Sequence, residues 1–229
     1  MSQLAFEPFS LEHFAAVVLV LGSSVAFVWA VRTAKSARLE RLVRWLLAIG
    51  CVAYEAVDIA LRRVLPLHLC DVSILIAPVV LLTANRHAFE LLYFWGIGGA
   101  LQALATPTLT SSFPAPICIA FFEAHGLVIA SALYATVILR LRPTLRSIPR
   151  VWLITVAYGL LMIPVNCLLG TNFLYVMEPP STASLLDLMG PWPWYLLTLQ
   201  PVILLVLALC YLPFFLRDRC SRGRVEGQA

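Results

Sequence analysis

The sequence predicts an all-α membrane protein built as a bundle of seven transmembrane helices, and three observations support this. Of the 229 residues, 61% are apolar and only 12% are charged, and mean hydropathy is +0.91. Charged residues make up about 25% of ordinary soluble domains. Seven apolar runs approach the roughly 20 residues that cross about 30 Å of hydrocarbon at about 1.5 Å per residue. The Lys and Arg residues fall mainly in alternate connections between these runs.

The apolar runs lack the in-and-out alternation of membrane β-strands, which favours helices. The first run is expected to remain as an anchor, because the residues before Phe14 include Glu7 and Glu12 and no basic segment of a cleaved signal. Most connections are short and no internal repeat is visible, so we expect one transmembrane domain over residues 1–229. The predicted spans are 14–31, 45–61, 67–83, 89–106, 116–139, 151–169 and 194–216, followed by a basic cytoplasmic tail at 217–229.

The longest connection on the predicted outer side is 170–193. Residues 181–184 (Ser-Thr-Ala-Ser) can cap a short helix that stops at Gly190-Pro191. Trp192 and Trp194 follow, as expected of an aromatic belt at a membrane interface. This segment is therefore expected to form an amphipathic connector on the outer surface.

The distribution of positive charge predicts the orientation. The amino-terminal tail and the fourth and sixth connections contain no Lys or Arg, and the second contains only Arg62 and Arg63. Short loops rich in Lys and Arg stay in the cytoplasm, so the amino terminus is expected outside and the carboxy terminus inside. The net charge of +4 then indicates contact with anionic lipid and not with nucleic acid. We expect a multi-pass protein of a cell membrane, most simply the bacterial cytoplasmic membrane. Fourteen of the 16 basic residues lie in the predicted cytoplasmic segments: Arg32, Lys35, Arg38, Arg41, Arg44, Arg86, Arg140, Arg142, Arg146, Arg150, Arg217, Arg219, Arg222 and Arg224.

Polar side chains concentrate in the outer half of the predicted bundle. Five helices contribute them, which is more than helix association ordinarily needs. One interpretation is a structural network, in which Asp58 pairs with Arg62 one turn further on. The other is a functional cavity open to the outer leaflet. The members are Glu55, Asp58, His68, Cys70, Asp71, Gln102, Thr106, Glu123, His125 and Asn166.

Cys70 is the candidate nucleophile in this layer. It lies near the amino terminus of a helix that begins around Pro66, where the helix dipole favours a thiolate. His68 is not its obvious base, because two residues along a helix turn the side chain about 200° away. His68 and Asp71 share a face and could pair. A base would more plausibly come from His125 on the fifth predicted helix.

The six cysteines are scattered and form no CxxC pair, and no HExxH pattern is present. We therefore predict no disulfide framework, no metal and no cofactor.

Several motifs resemble the bacterial YwaF-like integral membrane family, which is related to the animal transmembrane protein 164 acyltransferases. They are Pro66-Leu67-His68-Leu69-Cys70, Gln102-Ala103-Leu104, Phe121-Phe122-Glu123-Ala124-His125-Gly126, Gly170-Thr171-Asn172-Phe173 and residues 184–195, SLLDLMGPWPWY. The resemblance implies a membrane acyltransferase acting on phospholipids and lysophospholipids. Carried onto this sequence, it makes Cys70 the residue that holds the acyl chain as a thioester and His125 its partner. Gln102, Asn166, Asn172 and Asp187 match polar motif positions and are expected to support the site.

The implied chemistry is a two-step acyl exchange, with a lipase as the outcome if water replaces the lysolipid. A second hypothesis is a proton-coupled transporter or heptahelical receptor without enzymatic activity. It would use Glu55, Asp58, Glu123 and His125 as a relay or as ligand contacts. The missing internal repeat and the absence of a long predicted cytoplasmic loop disfavour it.

Overall fold

A computed structural model describes residues 5–180 and 184–226. Within these ranges the chain is all-helical, with seven long helices and no strand, which confirms the predicted class. The helices are α1 (Leu11–Thr33), α2 (Ala37–Arg62), α3 (Leu69–Thr83), α4 (Arg86–Ala105), α5 (Pro116–Val137), α6 (Ser147–Leu169) and α7 (Trp194–Glu226).

Five of these helices are long and apolar enough to cross a membrane by length and composition, namely α1, α4, α5, α6 and α7 as far as Cys220. α3 is apolar but has only 15 residues. α2 is long, but charged residues crowd its first turns. Seven spans thus stay a prediction.

α4 is interrupted in a way that the apolar run does not reveal. Residues Phe94–Gly99 form a π-helical segment between two α-helical parts. Gly96 lies there against α5: a Cβ added at this residue would come within 2.7 Å of Cγ1 of Val128. The absence of a side chain at Gly96 therefore permits the close approach of α4 and α5.

α3 begins at Leu69, two residues later than the predicted span. His68 has extended dihedral angles and acts as the N-cap, and its backbone N–H donates to Oδ2 of Asp71 at 3.1 Å. Because this carboxylate satisfies a backbone donor at the helix end, it fixes the starting residue. Cys70 is consequently in the first helical turn.

Contacts divide the chain into two compact units, residues 5–141 with residue 180, and residues 142–179 with 184–226. In the first unit α1 packs on α5, and α3 packs on both α2 and α5. Buried apolar side chains fill these contacts, among them Val20, Ile74, Leu81 and Val128. In the second unit α6 packs on α7, and the indole Nε1 of Trp152 donates to Gln200 at 3.0 Å.

Many large apolar side chains remain exposed on the long helices, including Leu19, Trp29, Leu160, Leu161 and Leu205. An apolar surface of this extent is the mark of contact with lipid.

Candidate active site

The thiol of Cys70 is half-buried in the first turn of α3. Its S–H donates to Oδ1 of Asp71 at 3.7 Å, so the neighbouring carboxylate is a polar partner of the sulfur. Asp71 thus has two roles, since its other oxygen accepts the His68 N–H. The predicted pairing of His68 with Asp71 occurs, but through the backbone of His68.

His125 lies on α5 and is only 3% exposed. Its Nδ1 is 2.6 Å from the carbonyl oxygen of Phe121 one turn earlier. A carbonyl can only accept, so Nδ1 carries the hydrogen and donates it. In the neutral ring Nε2 is then an unprotonated acceptor. Nε2 is buried and has no hydrogen-bond partner within the protein, which is the arrangement that a general base requires.

Cys70 and His125 belong to the same part of the first unit. α3 packs against α5, and the Asp71 carboxylate that accepts the thiol hydrogen also interacts electrostatically with His125. A nucleophile, a carboxylate and an imidazole with an open acceptor nitrogen are the groups that thiol-based acyl transfer uses.

Glu55 on α2 is the residue that sequence reasoning undervalued. It appeared there as one member of a polar layer and as a relay or ligand contact in the transporter or receptor hypothesis. In the structure it is 2% exposed, and both carboxyl oxygens are buried without a hydrogen-bond partner in the protein. Asp71 interacts electrostatically with Glu55 as well. Its spacing of four residues from buried Cys51 was the available signal, because it places both on one helix face.

The other candidates of the first unit lie differently. Asp58 forms an ion pair with Arg62 at 2.6 Å, as the structural interpretation predicted. Glu123 is exposed on α5. Gln102 is exposed at the end of α4, and its amide donates to the hydroxyl of Thr106 at 3.3 Å.

Asn166, at the end of α6 in the second unit, organises the start of the following connection. Its Oδ1 accepts from the backbone N–H of Phe173 at 2.8 Å and from the hydroxyl of Thr171 at 2.9 Å, and its Nδ2 donates to the Phe173 carbonyl at 3.1 Å. The amide is 2% exposed and its bonds are all local. It holds the chain where the helix ends.

Asn172 and Asp187 hold the rest of that connection. The side chain of Asn172 donates to the Glu178 carbonyl at 2.8 Å and accepts from Met177 N–H at 3.1 Å. Asp187 accepts from Ser184 N–H at 2.7 Å and caps the 3-10 turn Leu185–Leu188. The short helical turn expected here is therefore present, while residues 181–183 of its predicted cap lie outside the described residues.

Among residues 5–180 and 184–226, no three His, Cys, Asp or Glu side chains come close enough to hold a metal ion.

An all-helical chain with several helices of membrane-spanning length and a largely apolar surface is a multi-pass membrane protein. The chain belongs to the TMEM164 family, whose family model matches residues 8–211. It is also similar to an uncharacterized protein of Treponema pallidum (strain Nichols), with 28% identity over 158 residues. That match covers 67% of this chain and 63% of the relative, so the chain spans less than two thirds of the relative's length. No solved structure matches the chain.

Proposed function

We propose that this protein is a membrane acyltransferase that acts on glycerophospholipids through a cysteine thioester at Cys70. The observation that carries the proposal is the state of His125, whose Nδ1–H is held by the Phe121 carbonyl and whose Nε2 is free to take a proton. Membership of the TMEM164 family and the resemblance of the Cys70 and His125 motifs to membrane acyltransferases support the same chemistry.

In the first step the sulfur of Cys70 attacks the ester carbonyl of a donor phospholipid. A C–S bond forms and the ester C–O bond breaks. The thiol proton passes through Nε2 of His125 to the departing oxygen, which leaves as the hydroxyl of a lysophospholipid. Backbone N–H groups at the start of α3, which have no partner within the helix, would supply donors for the developing oxyanion. Asp71 orients the thiol before attack.

In the second step the hydroxyl of another lysophospholipid attacks the thioester. Its proton moves to Nε2 of His125 and then to the sulfur as the C–S bond breaks and the new ester forms. Water in place of the lysophospholipid would release a fatty acid, so the same groups would constitute a lipase. A transferase should release the acyl chain from Cys70 only when lysophospholipid is present, whereas a lipase should release it in water alone.

The membrane arrangement that we propose has seven spans, with the amino terminus outside and the carboxy terminus in the cytoplasm. It adds α2 and α3 to the five helices that are long and apolar enough to cross a membrane. The distribution of Lys and Arg supports it. In this arrangement Cys70 lies on the outer side of a bacterial cytoplasmic membrane, and all seven helices form one transmembrane domain.

The test is to trap the acyl-enzyme. Purified protein in proteoliposomes is given a phospholipid with an alkyne-tagged acyl chain, without lysolipid, and the adduct is detected on a gel before and after neutral hydroxylamine. The wild type should carry a hydroxylamine-labile adduct, Cys70→Ala should carry none, and Cys70→Ser should carry at most a hydroxylamine-resistant ester. Cys167→Ala, which removes an exposed cysteine on α6, is the matched control and should label as the wild type does. An adduct that persists in Cys70→Ala contradicts the mechanism.

A further inference from the structure

In the first unit the carboxyl group of Glu55 and Nε2 of His125 are buried without a hydrogen-bond partner in the protein, as is Nε of Arg44 nearer the start of α2. Glu55 and His125 are 2% and 3% exposed, and they lie on different helices. Burying a polar group without a hydrogen bond destabilises the folded protein, and burying a charged group does so more strongly. Two such groups from facing helices point to a ligand that both of them bind.

Hydrogen bonds between α2 and α5 place the two groups at the same level. The Tyr54 hydroxyl donates to the Ala120 carbonyl at 2.8 Å, and the sulfur of Cys51 lies 3.7 Å from the Ser131 hydroxyl. Residue numbers rise along α2 while those of the partners fall along α5, so the two helices run antiparallel. Glu55 lies one turn, about 6 Å, from Cys51, and the same distance along α5 from Ser131 leads to about residue 127, within one turn of His125.

Asp71 on α3 supplies an independent indication. Its carboxylate interacts electrostatically with both Glu55 and His125, and it accepts the hydrogen of the Cys70 thiol. The two groups are consequently in the neighbourhood of the proposed nucleophile and not in a separate part of the unit.

We propose that Glu55 and His125 together bind the hydroxyl group of the acyl acceptor, an inference that rests on the proposed function and deepens it. A hydroxyl donates one hydrogen bond and accepts two. Its hydrogen points at Nε2 of His125, which receives the proton during transfer. Its oxygen accepts from the Glu55 carboxyl group in the protonated form, because an ionised carboxylate without a partner is costly in an apolar interior. Glu55 is thus a substrate-binding residue that aims the attacking oxygen.

The test measures binding, so that it does not depend on turnover. In Cys70→Ala protein, the dissociation constants of 1-acyl lysophosphatidylcholine and of its 2-deoxy analogue, which lacks the attacking hydroxyl, are compared in nanodiscs. We expect the hydroxyl to strengthen binding about tenfold, since each 1.4 kcal/mol of a satisfied hydrogen bond corresponds to about tenfold.

Three further substitutions in this background sharpen the result. Glu55→Leu should bring the ratio of the two dissociation constants to about one. Glu55→Gln should keep the tighter binding of the lysolipid with the hydroxyl, because the amide N–H replaces the carboxyl hydrogen as donor. Glu7→Leu makes the same chemical change at an exposed residue and should leave the preference unchanged. Glu55→Gln is close in shape to Glu55, and it remains informative if Glu55→Leu does not fold.

The outcomes for the two proposals are separable. Equal binding of the two lysolipids in Cys70→Ala, or a preference that survives in Glu55→Leu, overturns the role of Glu55 even if the Cys70 adduct forms. If only Glu55→Gln folds, loss of the preference in that variant overturns it as well. A preference that depends on Glu55 supports the inference even if no acyl adduct is ever trapped, in which case the proposed transfer is wrong and the hydroxyl site stands.

Discussion

The connection after α6 and the region between α2, α3 and α5 use polar residues in opposite ways. In the connection, Asn166, Asn172 and Asp187 each bond to nearby backbone groups. Between the helices, Glu55 and Nε2 of His125 are buried without a protein partner. Polar groups satisfied by their own loop explain why that loop keeps its shape. Buried groups that the fold leaves unsatisfied carry a free-energy cost, and a bound ligand that hydrogen-bonds to them would remove it.

Two histidines provide the strongest test of this difference. His13 and His125 are both 3% exposed, but both ring nitrogens of His13 are used: Nδ1 accepts from Phe9 N–H at 2.9 Å, and Nε2 donates to the Leu104 carbonyl at 2.7 Å. His125→Ala should lower acyl transfer by about 10²- to 10⁴-fold, the usual contribution of a general base. His13→Ala should leave the activity of each folded molecule unchanged.

Stability should change in the reverse order. Loss of His13 breaks two bonds, one of them between α1 and the end of α4, and should lower the melting temperature in detergent more than loss of His125 does. The measurements are transfer rate normalised to folded protein and thermal unfolding followed by size-exclusion chromatography. The comparison fails if His13→Ala loses as much normalised activity as His125→Ala.

Asn166→Ala should show the next largest effect, and on stability alone. Removing the amide leaves the N–H and carbonyl of Phe173 and the hydroxyl of Thr171 without their partners, at about 1–3 kcal/mol for each group that stays buried. We expect a loss of about 2–4 kcal/mol in the free energy of unfolding, measured by denaturant titration in detergent. Asn166→Asp keeps the acceptor for Phe173 N–H and should lose less. An acyl adduct that disappears in folded Asn166→Ala protein would show that the amide also serves the reaction.

The smallest effect is expected at Asp58. Its ion pair with Arg62 joins residues four apart on α2, and the Arg62 side chain is 51% exposed. Asp58→Asn should change the free energy of unfolding by less than about 1 kcal/mol and should not alter acyl transfer. Raising the salt concentration should reduce the difference in the free energy of unfolding between the wild type and this variant. A large loss of transfer would instead place Asp58 with Glu55 among the functional groups.

The helices could be predicted from the sequence because length and apolarity are local properties. Their ends were harder to predict. α2 begins at Ala37, eight residues before its predicted span, since Arg38, Arg41 and Arg44 can lie on a helix beyond the hydrocarbon. The π-helical segment Phe94–Gly99 lies within a continuous apolar run, and the apolar pattern does not distinguish it from α-helix.

For the site, the sequence indicates which residues are reactive, but it does not show which of their polar groups find a hydrogen-bond partner in the folded protein. Cys70 and His125 could be named from position and resemblance. The lack of a hydrogen-bond partner for Glu55 could not be predicted, because it depends on which side chains of α3 and α5 surround the carboxyl group. Asn166 was predicted to support the site, whereas the hydrogen bonds that the structure gives it all go to the loop that follows α6.

The shortness of α3 has a consequence for the lipid around it. In the proposed seven-span arrangement its 15 residues extend about 22 Å, roughly 8 Å less than the hydrocarbon of a typical bilayer. A bilayer responds to such a mismatch by becoming thinner beside the short segment. Phospholipid ester groups next to α3 would then sink toward the level of its first turn. The length of this helix alone would bring the scissile bond toward the sulfur, with no need to pull a lipid out of the membrane.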